Sequence, residues 1–329
     1  MQTRMISFRT LLVLVVAALL AGCASREVVR DEALVAERKG VEFLSKDVPA
    51  WYKENGCFSC HNNGDAARAL YLASRNGYRI KDSVLADTTD WLQRPQTWDD
   101  NQGDPGFSDQ RLADVQFAAA LVTAMDTGYL QAKEPLVIAA KRLMKQQGAE
   151  GSWPIDASNT LGSPATYGAP LATYMAVRVL KRMDTAEAKN AVRNGEEWLS
   201  AKVPVNTVFN AAVLLQALKD EDVEMAKSKR EQALQLIQRS QTSDGGWGAY
   251  ADAPPEVFDT AMVLLALAPM RDQPEITLMI QRGRKFLAAN QYDDGSWPET
   301  TRPSGNESYA QRLSTTGWAV MALLATRDD

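Results

Sequence analysis

The residues with the most distinctive chemistry lie in one short segment, positions 57–61, which reads CFSCH. It holds two of the three cysteines and the only histidine of this 329-residue chain: Cys57, Cys60 and His61. C-x-x-C-H is the attachment pattern of a c-type haem. Two residues between the thiols let both sulfurs reach one porphyrin edge, and the next residue can bring its imidazole under the iron. The sequence therefore predicts one covalent haem c, with thioethers at Cys57 and Cys60 and His61 as the proximal iron ligand.

Two other uses of a C-x-x-C pair compete with haem. A structural zinc site needs four ligands, mainly Cys and His. The chain has no second histidine, and the remaining cysteine, Cys23, has another use described below, so the ligand set would be incomplete. A thioredoxin-like redox pair is expected in a βαβ setting, whereas this chain has helical patterns throughout. Haem attachment is favoured, with a redox or accidental pair as the alternative.

The first 23 residues have the pattern of an export signal. Arg4 and Arg9 precede an uninterrupted apolar run at positions 11–20, which is too short to span a bilayer as a mature helix. The tetrapeptide that follows, ending at Cys23, resembles a bacterial lipobox. That resemblance implies lipidation of Cys23, and cleavage of an ordinary signal peptide is the alternative. We expect a lipoprotein signal peptide over residues 1–23, a linker over 24–32 and one domain over 33–329.

Lipidation would anchor the chain to the membrane on the periplasmic side of the cell envelope. Lipoprotein sorting implies the outer membrane if the cell is Gram-negative, because Ala24 is not the aspartate that signals inner-membrane retention. Haem attachment in bacteria also takes place outside the cytoplasm, so the two predictions support each other. The formal net charge of −5 argues against nucleic acid as a partner, since binding it requires basic patches.

A self-similar pattern recurs six times along the domain. Each copy has a small residue, then polar, aromatic or aliphatic residues in a fixed order, and the copies start roughly 40 to 55 residues apart. They start at Gly40, Thr88, Ala140, Gly195, Ala233 and Gly283. Each unit reads as a helical hairpin with one charged amphipathic helix and one nearly apolar helix, which implies an outer and an inner layer. The sequence therefore predicts an all-α fold, a closed α/α barrel of six hairpins, with no sheet.

A second motif recurs between the two helices of a hairpin. Residues 147–153, 241–247 and 291–297 each begin with Gln and end with Gly-x-Trp. They resemble the Q-x3-G-x-W repeats of squalene–hopene cyclases and their relatives, and residues 314–324 resemble the last inner helix of those cyclases. The resemblance extends over residues 33–329 and is degenerate in repeats two and four. It implies the α/α toroid shared by terpene cyclases and protein prenyltransferase β-subunits.

The motif has a structural interpretation. Its glycine permits the left-handed turn that ends the outer helix. The indoles of Trp153, Trp247 and Trp297 should pack across the hairpin ends and join neighbouring repeats.

The catalytic residues of the family are not carried over. In squalene–hopene cyclases a D-x-D-D-T-A segment provides the proton donor, its middle aspartate, and here the corresponding segment reads EVFDTA, with Phe258 at the donor position. Asp259 survives, and we expect it to be the N-cap of an apolar helix. Prenyltransferases bind zinc through Asp, Cys and His, but the position two residues after Asp259 is Ala261. Both chemistries are disfavoured, and no catalytic residue is predicted.

In the first repeat the CFSCH segment stands where other repeats have G-x-W, and we expect an inner helix to begin near Asp65. The haem should then lie at the barrel rim, against the ends of the inner helices. Met262 is a candidate sixth ligand of the iron, and an open distal position is the alternative. Candidates to line the same rim are Asp259, Tyr167, Tyr250 and Tyr309.

Three functions are consistent with these features. The first is an exported, lipid-anchored c-type haem protein that transfers electrons to or from a redox protein partner. The second is a haem-assisted or cyclase-like enzyme that acts on an isoprenoid or other apolar small molecule in the barrel. The third is a non-catalytic interaction scaffold. The first requires only residues that are present, and it is the function that the sequence predicts.

Overall fold

Helices alternate between two layers along the chain. The computed structural model describes residues 8–100, 110–155, 167–300 and 308–327, with side chains from residue 32 onward. The outer helices are α1 (Phe8–Asn55), α3 (Asp82–Leu92), α5 (Glu134–Gln146), α7 (Ala186–Lys202), α9 (Glu224–Arg239) and α11 (Pro274–Ala289). The inner helices are α2 (Ala67–Arg75), α4 (Gln110–Asp126), α6 (Gly168–Leu180), α8 (Val208–Ala217), α10 (Val257–Leu267) and α12 (Tyr309–Ala325). A π-helical turn, Cys60–Ala66, leads directly into α2, and short 3-10 helices cover Pro95–Asp100 and Ala268–Met270.

The six hairpins form a closed ring. Each inner helix contacts the next inner helix in chain order, and α12 contacts α2 and the π turn, which closes the inner layer. Among the outer helices, α1 contacts α11. The described residues contain no β-strand. The predicted all-α toroid of six hairpins with an inner and an outer layer is confirmed.

The two layers follow from the distribution of apolar residues. On the outer helix α9 only four residues are buried: Ala226, Ala233, Leu236 and Ile237. On the inner helix α12 nearly every residue from Gln311 to Leu324 is buried. An amphipathic helix buries one stripe and keeps its charged face in water, whereas a helix that is apolar all round must be enclosed.

The spacing of Gln, Gly and Trp that recurs in the three copies of the motif has a direct structural role. Gln291 donates from Nε2 to the carbonyl of Gly295 in its own turn, at 2.9 Å, and to the carbonyl of Ala36 on the first outer helix, at 2.7 Å. Trp297 donates from its indole nitrogen to the carbonyl of Leu287 at 2.7 Å. The sixth hairpin is thereby hydrogen-bonded to the first. Gln147 and Gln241 make the equivalent bonds to α7 and α11.

The motif glycine lies in the turn after the outer helix and approaches the next hairpin closely. Gly295 has φ of 93°, and a Cβ there would lie 2.5 Å from the carbonyl oxygen of Lys39, so only glycine fits. Trp297 is fully buried and packs against Gly40 on α1. Trp153 and Trp247 pack in the same way against Gly195 and Gly283. The prediction that these indoles join neighbouring repeats is confirmed.

The first inner α-helix begins at Ala67, close to the expected start near Asp65. The π-helical turn Cys60–Ala66 in front of it was not predicted. Asn63 holds this turn, because its side chain accepts from the Ser59 amide at 2.9 Å and donates to Thr88 at 2.8 Å. The neighbouring Asn62 donates to the carbonyl of Val48 at 3.1 Å. Both side chains bond outside their own turn, so they hold the extra helical turn in place instead of ending it.

The expectation that Asp259 is the N-cap of an apolar helix is wrong. Helix α10 begins at Val257 with Glu256 at the N-cap position, and Asp259 lies inside the first turn, fully buried. The amide of Glu256 donates to the carbonyl of Trp247 at 2.9 Å, which fixes the chain entry one turn earlier than the aspartate.

From Phe8 onward, the predicted signal and linker regions belong to the first part of α1. The backbone helix runs from Phe8 to Asn55 and therefore includes residues 24–32, while the side chain of Cys23 lies outside the described part of the structure. Over the part of the chain that the structure describes, no helix is both long and apolar enough to cross a membrane.

Candidate functional site

A buried carboxylate lies where the inner helices converge. Asp65 is completely buried in the π turn. Its Oδ2 accepts hydrogen bonds from Gln116 of α4 at 2.6 Å and from the Ser314 hydroxyl and Trp318 indole of α12, at 2.7 and 3.1 Å. Its Oδ1 lies 3.4 Å from a guanidinium nitrogen of Arg68. An ionised carboxylate is an acceptor only, so four donors from three inner helices match it.

Aromatic side chains cross the axis beside Asp65. The ring of Tyr167, at the start of α6, lies 6.1 Å from the ring of Trp318 in an edge arrangement. Hairpins three and six face each other in a ring of six, so this pair spans the toroid. Phe258 of α10 contacts Trp318 at 5.9 Å and Phe209 of α8 at 6.0 Å. Arg68 lies over the Trp318 ring at 5.0 Å. The interior at this level is occupied by side chains.

The C-x-x-C-H segment lies at this end of the toroid, where inner helices begin. Cys57 is partly buried in the turn, while Cys60 and His61 form the first residues of the π turn. Cys60 Sγ lies 3.4 Å from His61 Nδ1. Burial lowers the pKa of His61, and the negative charge of Asp65 offsets part of this effect. The imidazole is therefore held in its neutral form near pH 7, as an iron ligand must be.

Phe58, the first of the two residues between the cysteines, occupies the place of the motif tryptophan. Phe58 stacks on Tyr52 of α1 at 4.7 Å and on Trp91 of α3 at 4.4 Å. It therefore joins hairpin one to hairpin two, as the indoles do elsewhere. Cys60 lies on the opposite side, in the core.

The three candidate tyrosines lie at the same end of the toroid but in different surroundings. Tyr167 is 5% exposed, and its hydroxyl has no hydrogen-bond partner among the described residues. Burial raises the pKa of Tyr167 well above its ordinary value, and the Asp65 charge adds to the shift. Tyr250 and Tyr309 are 59% and 47% exposed, and Tyr309 donates to Asp47 at 2.8 Å. Only Tyr167 faces the interior cluster.

The remaining candidates lie on α10. Phe258 faces the axis, and Asp259 is buried behind it. Met262 is completely buried one helical turn after Phe258 and therefore on the same face of the helix. In the ring of inner helices, α12 lies between α10 and the π turn that holds His61. The structure thus keeps Met262 and His61 on helices that are not neighbours.

The main polar cluster was not among the predicted site residues. Asp65, Arg68 and Gln116 are polar positions inside otherwise apolar inner-helix sequences. That pattern was visible in the sequence and marks buried polar groups that must find partners. Within the described residues, no group of three or more His, Cys, Asp or Glu side chains is placed to hold a metal ion.

Comparison with known proteins supports the cyclase-like fold. Residues 211–329 match the squalene-hopene cyclase C-terminal domain family. A stretch of 103 residues is 29% identical to lanosterol synthase erg7A of Aspergillus fumigatus. The match covers 30% of this chain and 13% of that protein. The chain thus matches only a small part of the length of this curated relative.

Solved structures extend the likeness to nearly the whole chain. A variant of the type II terpene cyclase MstE from Scytonema, in complex with geranylgeranyl dihydroxybenzoate, has a TM-score of 0.60 at 13% identity, covering 92% of this chain and 99% of that one. An unsaturated glucuronyl hydrolase specific for heparin has a TM-score of 0.61 at 9% identity, covering 90% and 97%. The α/α toroid therefore hosts unrelated reactions, and the fold alone does not select one.

Proposed function

We propose that this chain is a c-type haem protein built on a cyclase-like α/α toroid, anchored by lipid at Cys23 and used in electron transfer with a protein partner. The observation that carries the proposal is the C-x-x-C-H segment at the rim, with two thiols outside any disulfide followed by a neutral histidine. Cys57 and Cys60 would hold the haem through thioethers, and His61 would ligate the iron. A bound haem supplies one-electron chemistry, with its potential set by ligand, burial and nearby hydrogen bonds.

The donor set fits a haem in type and protonation. Neither cysteine is used by a disulfide. The imidazole is kept neutral by its surroundings. The buried hydroxyl of Tyr167, whose pKa also responds to Cys60, has no partner among the described residues. A buried unpaired hydroxyl is costly, and a polar group bound beside Cys60 would relieve that cost.

In the proposed site His61 would be the ligand that the protein supplies to the iron. Met262 lies on α10, and α12 with Trp318 lies between α10 and the helix that carries His61. We therefore leave Met262 out of the proposed site. The sequence left two alternatives for the sixth position of the iron, Met262 or no protein ligand. The order of the inner helices around the ring favours the second.

The interior lacks the acid that a cyclase reaction would need at the position of Phe258. Phe258 occupies the position of the cyclase proton donor, and the Tyr167–Trp318 pair crosses the axis. The buried acid that is present, Asp65, accepts hydrogen bonds from Gln116, Ser314 and Trp318. It is therefore arranged as an anion that organises three helices, not as an acid directed at an apolar substrate.

The test is expression with an export signal in cells that carry a cytochrome c maturation system. The proposal expects one haem that stays attached after denaturation and acid–acetone extraction, with a reversible absorbance change on reduction and reoxidation. Cys57→Ser and Cys60→Ser should each leave at most one thioether, and the double variant should carry no covalent haem. A wild-type protein that emerges folded and haem-free from maturation-competent cells would reject the proposal.

The lipid anchor has its own test. Growth with a radiolabelled fatty acid should label the wild-type chain and not Cys23→Ala. Labelling that persists in Cys23→Ala would remove the anchor from the proposal without affecting the haem site.

A further inference from the structure

A cavity opens at the end of the toroid where the inner helices finish, opposite the end that holds Cys57. It has a volume of about 330 Å³ and lies between the C-terminal parts of α4, α6 and α8, with α7 at its side. Small-molecule sites typically begin at roughly this size, about 300 Å³. The cavity reaches inward as far as Arg68, so it ends at the polar cluster described above.

Arg68 forms the inner end of this cavity with unused hydrogen-bonding capacity. Its side chain is 95% buried, and Nε has no hydrogen-bond partner among the described residues. Among the described residues it pairs with Asp65, at 3.4 Å. A buried guanidinium normally satisfies its donors with carboxylates or carbonyls. The unpaired Nε of Arg68 is therefore available to donate a hydrogen bond to an acceptor on a ligand.

Charge at the cavity is positive although the protein is acidic. Five cationic and three anionic side chains line it, in a chain of formal net charge −5. The three anions are each paired with a lysine or arginine of the same wall: Glu196 with Lys181, Asp126 with Arg182, and Asp220 with Lys219. Arg178 makes no ion pair with a described residue and lies 5.7 Å from the Tyr174 ring. Arg178 therefore has no counter-charge in this wall, and Arg68 keeps one free donor, Nε, beside its pair with Asp65.

Helix electrostatics explain only part of this arrangement. Cations in the last turn of a helix are favourable, which accounts for Arg178 and for the two basic residues that follow α6. Arg68 lies inside the continuous helix that begins at Cys60, so the helix dipole gives no reason for a cation there. Asp65 pairs with one of its terminal nitrogens, and a bound anion would accept from the unpaired Nε.

We propose that this cavity binds a small organic anion, whose carboxylate or phosphate group pairs with Arg68 and Arg178. A guanidinium fork suits both groups. The wall also includes apolar side chains that would contact the body of the ligand: Ala119, Val122, Val177 and Leu199. The site lies at the opposite end from Cys57 and does not depend on haem.

The test is calorimetric titration of the full-length chain with three ring compounds of similar size. Benzoate and phenyl phosphate carry the two candidate anionic groups, and benzyl alcohol is the neutral control. Benzoate or phenyl phosphate should bind at least tenfold more tightly than benzyl alcohol, and the tighter of the two identifies the preferred group. Binding of all three with equal affinity, or of none up to 10 mM, overturns the proposal (about 3 kcal/mol marks that limit).

Matched variants locate the site. Arg178→Gln changes an exposed residue and should weaken anion binding roughly tenfold, as expected for loss of a charged hydrogen bond. The control is Arg193→Gln. Arg193 is an exposed arginine of α7 that does not line the cavity, so its replacement should leave binding unchanged. Arg68→Met should abolish binding, with circular dichroism as the check on folding. Unchanged binding in Arg178→Gln and in a folded Arg68→Met would reject the site.

Discussion

Trp318 and Tyr167, from opposite hairpins, meet across the axis of the toroid with 6.1 Å between their ring centroids. The contact divides the interior into two ends. One end holds Cys57, Cys60 and His61 beside the starts of the inner helices, and the other holds the cavity that Arg68 closes. A long apolar chain could not run along the axis while this pair is in place. The proposed haem and anion sites are therefore separated by packed side chains.

Replacing Trp318 should show how much this crossing contributes to stability. Trp318→Ala leaves a cavity and removes a donor to Asp65, so we expect a loss of about 3–5 kcal/mol in the free energy of unfolding. Trp198 is the control, because it is only partly buried on the outer helix α7 and its truncation should cost less. Urea denaturation followed by circular dichroism measures both. Equal losses would contradict a central role for Trp318.

Closure of the ring depends on the absence of a side chain at Gly40. A Cβ there would lie 2.7 Å from both Trp297 and Val320, so Gly40→Ala should cost about 1–3 kcal/mol through overpacking. The control is Gly148→Ala, where the added atom meets only the flexible end of Glu150. Thermal unfolding should show a lower midpoint for the first variant and little change for the second. The reverse order would mean that the sixth and first hairpins are loosely joined.

The repeated parts of the fold could be predicted from sequence because they depend on local spacing. The Gln-Gly-Trp motif recurs within seven residues, and its contacts reach a neighbouring hairpin at a fixed offset along the chain. Gln147 and Gln241 bond to helices about 40 residues later, one repeat away. The last copy, Gln291, bonds back to Ala36 and closes the ring. The periodic pattern is therefore sufficient to predict which hairpin each motif glutamine contacts.

The polar centre could not be predicted in the same way. Asp65 takes its partners from Gln116, 51 residues away, and from Ser314 and Trp318, 249 and 253 residues away. No periodicity relates these positions, so only the closed ring brings them together. The extra turn at Cys60–Ala66 was missed for a related reason, since Asn63 bonds to Thr88 on another helix and not within its own segment.

The role of Asp65 as a buried anion gives a third prediction. Asp65→Asn places an NH₂ group among donors and leaves Arg68 without its counter-charge, so we expect a loss of about 3–5 kcal/mol in the free energy of unfolding. Adding Arg68→Met to this variant should restore part of that loss, because the second buried charge is then gone. The double-mutant cycle in urea tests this directly. Additive losses would show that the two charges do not interact.

The open distal position gives a fourth prediction. If the haem has only His61 as a protein ligand, the reduced protein should bind carbon monoxide within mixing time, with the spectral shift of a five-coordinate haem. Met262→Leu preserves volume in the core and should leave the spectrum and the rate unchanged. Slow carbon monoxide binding that becomes fast in Met262→Leu would instead assign Met262 as the sixth ligand.

The partly buried imidazole of His61 makes stability depend on pH in the haem-free protein. Burial lowers the pKa of His61 in the folded chain, whereas in the unfolded chain it is near 6.5. Between these two values the unfolded state binds more protons, so the free energy of unfolding rises with pH there and falls as the pH drops below about 6.5. His61→Gln should remove this component, and subtracting its urea-unfolding profile between pH 5 and 8 from that of the wild type cancels the other titrating groups. A difference that does not vary with pH, or that grows toward acid pH, would show that His61 is not held neutral. Since a protonated histidine cannot ligate iron, the same measurement also bears on the proposed haem site.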